Sequence, residues 1–112
     1  MLAERFCFEN TSAKSTSIIS FNSDHNRISD GAYKVTPLAG GDTKTTRFHG
    51  TKSGTIYAIT FKDKPPYKKP KGDDTIIWTR KGNNLEVPMY GKNAKTGKYA
   101  DYLAKFVPCK KH

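Results

Sequence analysis

Short segments rich in Thr, Ile, Phe and Tyr recur along this chain, each closed by Gly, Asn, Asp or Pro. That rhythm constrains the fold more than any other feature, because strands need β-branched and aromatic residues and turns need residues that tolerate unusual backbone angles. The segments are 5–9, 17–21, 32–38, 45–49, 55–62, 75–80 and 85–90. They predict one domain over residues 1–112, mainly β (a β-rich α+β class), as a small twisted antiparallel sheet or barrel. Near the end, Tyr99, Tyr102, Leu103 and Phe106 recur at three- and four-residue spacing, with Ala100 and Ala104 between them. This pattern predicts a short amphipathic C-terminal helix, stopped by Pro108.

Two hairpins follow from turn chemistry. Gly82-Asn83 suits a two-residue turn, which pairs Arg80 with Leu85, Trp78 with Val87 and Ile76 with Met89. Trp78 then sits in the middle of the buried face, while Glu86 and Pro88 fall on the other. Pro88 cannot donate to a ladder, so its strand is expected at an edge or bulged there. The earlier hairpin joins Arg47-Phe48-His49 to residues 56–61 through a loop holding Gly50, Lys52 and Gly54. Residues 24–31 read as a turn. Between the hairpins, residues 63–74 contain three prolines and four lysines and predict an extended, exposed basic loop without PxxP spacing.

Only 35% of residues are apolar, so the core must be thin and built largely from six Phe, six Tyr and one Trp. Such a core gains from a staple. Cys7 and Cys109 lie near opposite ends, and a disulfide between them would close a loop of about 100 residues, worth up to ~4.7 kcal/mol in the chain-entropy model. The alternative is two reduced, half-buried thiols. The disulfide reading goes with a chain that is secreted or delivered as a mature chain in preference to a cytoplasmic one. No apolar run reaches membrane-span length, the first residues do not resemble a signal peptide, and Asn10-Thr11-Ser12 matches a glycosylation sequon.

The net charge is +10, unevenly spread: 7 basic against 5 acidic residues up to Ile56, and 13 against 5 after it. A cationic half recruits polyanions, RNA among them, without specifying which. Lys64, Lys68, Lys69, Lys71, Lys81 and Lys92, with Tyr67 and Tyr90 as stacking surfaces, form the expected nucleic-acid-binding set. Lys95, Lys98, Lys110 and Lys111 extend it.

Metal-free RNA cleavage needs a proton acceptor, a proton donor and cations on the phosphate. His49 and Glu86 are the expected acid–base pair, with Arg47, Lys52 and Arg80 on the phosphate. Arg47 and His49 alternate on one strand and share a face. His25, beside Asp24, is an alternative acid or base, and otherwise a polar loop residue. The spacing of cysteines, histidines and Asp73-Asp74 matches no metal site, and no nucleotide-binding or hydrolase motif occurs, so no metal or cofactor is expected.

Two local resemblances accompany these readings. Residues 54–59 with the 77–88 hairpin resemble strands of the C-terminal β-sandwich of family-29 fucosidases, which implies a sandwich without the catalytic barrel. The lysine-rich end, with Trp78, Glu86 and residues 91–97, is similar to ribonuclease domains of bacterial toxins, which implies RNA cleavage and a protein inhibitor or immunity partner. The functional expectation is thus an RNA-engaging domain, most concretely a metal-independent toxin-type ribonuclease. The alternative is a non-enzymatic secreted module or effector that binds acidic glycan or a protein partner.

Overall fold

The computed structural model describes residues 4–12, 14–68, 70, 76–92 and 95–110. Eight antiparallel strands follow one another around a closed barrel: β1 (Glu4–Thr11), β2 (Ser15–Asp24), β3 (Arg27–Pro37), β4 (Lys44–Ser53), β5 (Ile56–Phe61), β6 (Ile76–Lys81), β7 (Asn84–Lys92) and β8 (Tyr99–Pro108). The chain is all-β, and the described residues contain no helix. The expected C-terminal helix is instead β8. Ala104 and Phe106 are buried while Lys105 and Val107 are exposed, the alternation of a strand. The helix-like spacing arose because apolar residues sit on both faces of β8, and closure of the barrel requires an eighth strand.

Alternation fills the interior. Phe8, Ile19, Phe21, Ile28, Tyr33, Phe48, Tyr57, Ile59, Trp78, Leu85, Val87 and Phe106 are all buried. An eight-stranded barrel is just wide enough for side chains to fill, and here aromatic rings do so. Phe48 meets Trp78 edge-on at 5.1 Å between centroids, and Phe21 meets Tyr57 at 5.7 Å. Outward positions such as Arg5, Lys34, Arg47 and His49 are polar and exposed, the reverse of a lipid-facing wall.

The two ends differ. At one, three two-residue turns, His25-Asn26, Gly54-Thr55 and Gly82-Asn83, join strands tightly. Each turn puts a positive φ on its first residue: 56° at His25, 62° at Gly54 and 59° at Gly82. Glycine adopts this angle without cost, whereas His25 holds it in a side chain's disfavoured region. Residues 24–31 are therefore mostly strand around a tight turn, with a bulge between Ile28 and Gly31. The Gly82-Asn83 turn pairs Arg80 with Leu85 as its chemistry predicts. At the other end lie the longer connections, including the one between β5 and β6.

The disulfide forms between Cys7 and Cys109. It staples the place where the barrel closes, and it sits at the tight-turn end. β1 and β8 pair through only Phe8↔Pro108 and Glu9↔Val107, and the Cys109 N–H donates to the Cys7 carbonyl at 3.0 Å. By contrast, β1 and β2 pair along all eight residues of β1. The closing seam is the short joint of the barrel.

Candidate binding site at the lysine-bearing end

The longer connections and adjoining strand ends carry Lys14, Lys44, Lys62, Lys64, Lys68, Lys92, Lys95 and Lys98, all exposed. Asp42 and Asp63 are the acids in those stretches among the described residues. The one ion pair with both partners among the described residues lies elsewhere, between His25 and Asp24 at the tight-turn end. The described lysines there outnumber the described acids, so they project a positive field from one end of the barrel. Lys69 and Lys71, expected in this set, lie outside the described residues.

Tyr67 is at this end but does not present a free ring. The β5–β6 loop folds back over the barrel mouth and packs Tyr67 against Tyr33 (5.5 Å) and Phe61 (6.0 Å). The Trp78 indole N–H donates to the Tyr67 hydroxyl at 3.0 Å. Burial pushes the Tyr67 hydroxyl up to about 12, against the opposing pull of the Trp78 hydrogen bond. Tyr33 is raised further, again mainly by burial. The Tyr67 ring caps the core. Tyr90 sits outside the wall against Tyr99, 6.0 Å away, next to Lys92.

Beside the capped mouth, a groove of about 460 Å³ runs where β1 and β8 part. One bank is hydroxylic and amidic: Asn10, Thr11, Ser12, Ser15 and Ser17. The opposite bank has Met89, Tyr102, Leu103, Ala104 and Lys105, and Tyr33, Val35, Pro66 and Tyr67 complete the lining. The Asn10 side-chain amide donates to the Lys105 carbonyl at 2.8 Å and bridges the gap. Nothing in the sequence marks this groove, because it is produced by where the closing ladder stops.

The expected catalytic set is not assembled. Arg47 and His49 do share the outer face of β4. Glu86 is on the outer face of β7, three strands further around the barrel. Three strand spacings of about 4.8 Å separate the backbones by roughly 14 Å along a curved wall, and outward side chains diverge from there. Lys52 alternates to the inner side of β4 near the tight-turn end.

Arg80 also turns inward at that end. Its guanidinium lies 5.2 Å from the Phe6 centroid and 5.3 Å from that of Phe8, and donates to the Gly82 carbonyl (3.1 Å) and Tyr57 hydroxyl (3.5 Å). Lys81 lies at the same end, a strand's length from Lys92: the nine residues of β7 span roughly 27 Å. The basic residues therefore divide between two ends, with the larger group on the longer loops. Compared with known proteins, the chain matches no family model, no curated protein and no solved structure.

Proposed function

We propose that this protein is a secreted, disulfide-stapled binding module whose lysine-bearing end takes an anionic macromolecular partner. The observation that carries this reading is the concentration of exposed lysines on the connections of one barrel end. The filled interior supports it as well, since a barrel packed with aromatic side chains has no room for an internal ligand. A ribonuclease reading draws less support, because His49 and Glu86 stand on well-separated parts of the wall.

The test keeps net charge constant and changes only its place. Lys64, Lys68 and Lys98 are replaced by Gln in one variant, and Arg27, Lys81 and Lys110 in another. On an immobilised heparin column the first variant is expected to elute at clearly lower salt than the second, because retention tracks the number of cations that meet the polyanion together. Equal elution would defeat the proposal. Total RNA incubated with the parent in EDTA is expected to stay intact, and a 2′,3′-cyclic phosphate product that vanishes in His49→Gln would restore the enzymatic reading.

A further inference from the structure

The groove beside β8 has a feature that a general polyanion site does not need: an unfinished β-ladder. In an antiparallel strand, alternate residues aim both N–H and C=O to the same side. Just past β8, Cys109 donates to Cys7, and on β8 the Lys105 carbonyl accepts from Asn10, so odd-numbered residues aim across the seam toward β1. Asp101 and Leu103 have the same parity. Their partners on β7 fit this assignment, since Tyr90, paired with Asp101, sends its own N–H the other way to the Lys68 carbonyl. The β1 ladder ends at Glu9, so the main chain of Asp101 and Leu103 faces the groove with no strand of the described residues opposite.

Large apolar and aromatic side chains flank Asp101 along that edge. Tyr99, Tyr102 and Leu103 are each at least half exposed, and Val107 is 40% exposed. Exposed edges are normally blunted by charge or proline, and one carrying Tyr and Leu is a template for pairing. Lys105 lines the groove, Lys92 pairs with Tyr99 and Lys98 precedes it, against Asp101 on the strand itself.

Resting on the loop-end reading above, we propose that the partner is a protein, and that an acidic extended segment of it adds as a strand to β8 along Tyr99–Leu103. Strand addition supplies the amide donors and acceptors that Asp101 and Leu103 lack, and five paired residues span roughly 14 Å. Residues turned into the groove would be apolar, to meet Met89 and Tyr102. Those turned out would be Asp or Glu, to meet the lysines. A second copy of this chain fits poorly, because each copy brings a net charge of +10. A nucleic acid offers phosphates but no alternating amides.

The test uses a capped octapeptide of alternating Val and Glu, its N-methylated counterpart and a heparin hexasaccharide, with amide hydrogen exchange read by NMR on the whole protein. The octapeptide is expected to slow exchange at Asp101 and Leu103, and N-methylation to abolish this. The Asp101→Pro variant discriminates further. It removes a negative charge, so attraction by charge alone predicts tighter octapeptide binding, whereas strand addition predicts binding weaker by about tenfold. Leu103→Pro serves as a second variant, and circular dichroism confirms that each is folded. If the hexasaccharide binds while the octapeptide does not, or if Asp101→Pro binds the octapeptide as well as the parent, strand addition is overturned and the loop-end site stands. If none of the probes binds, both fall.

Discussion

Breaking the Cys7–Cys109 bond probes the barrel where it is least paired. The two cysteines are 102 residues apart in sequence. Cross-linking a loop of that length removes entropy from the unfolded chain worth about 4.7 kcal/mol at 25 °C. Few other contacts take up the load, since β1 and β8 share two register pairs and one further backbone bond at the cysteines. The double variant Cys7→Ser/Cys109→Ser is therefore expected to lose about 4–5 kcal/mol of a stability that for such a domain totals roughly 5–15 kcal/mol.

Urea unfolding followed by circular dichroism measures the loss. With a slope of about 1–3 kcal/mol/M, the midpoint should fall by roughly 1.5–5 M. Hydrogen exchange should show β1 and β8 losing protection before β3 and β4, which pair along most of their length. A loss below about 1 kcal/mol would refute the reasoning, because it would mean that the seam closes through packing and the staple is redundant. The parent treated with reductant provides the control, and it should match the double serine variant.

Two further perturbations test the packing that positions the site. A Cβ at Gly50 would run into the Ala58 carbonyl of the neighbouring strand, so Gly50→Ala should cost about 1–3 kcal/mol and lower Tm. Gly54→Asn, in open space at a positive φ, should be close to neutral in the same melt. Alkaline pH should unfold the protein. The Tyr67 hydroxyl is raised to about 12 in the folded state and Tyr33 is raised too, mainly by burial, whereas unfolded tyrosines ionise near 10. Stability from these groups is full below pH ~10 and is lost as pH climbs through the folded values. Absorbance at the phenolate band should rise together with loss of ellipticity. Separate transitions would contradict the capping role of Tyr67.

Much of the wall was legible because each strand carries its own signal. Residues 17–21, 45–49 and 85–90 announce β2, β4 and β7 by composition, and the observed strands extend beyond them because neighbours complete the ladders. Trp78 was recognisable as core from hairpin register alone. Two local signals misled. His25-Asn26 reads as part of a longer turn because a non-glycine residue holds the positive φ. β8 reads as a helix because its outer face keeps Tyr99 and Leu103 apolar. The tertiary arrangement was not legible at all. Alternation tells which face of a strand a residue occupies, as it did for Arg47 and His49. It does not tell how far around a closed barrel the next strand lies, and that angle is what separates Glu86 from His49.

The same topology narrows where this protein can meet a partner. An eight-stranded wall uses its ladders on both sides of every strand and fills its interior with rings, which removes both the central cavity and most edges as binding surfaces. What remains is the place where the wall is incomplete. β1 stops pairing with β8 at Glu9, and the upper half of β8, with Tyr102 and Leu103, is left facing a groove that Lys105 lines and hydroxyl-bearing residues of β1 and β2 bank. A continuous ladder along the seam would have paired the main chain of Asp101 and Leu103 and left no edge to bind. Stapling its lower end with a disulfide lets the upper end stay open without loss of closure, so the bond that stabilises the fold also permits the split that the proposed partner would occupy.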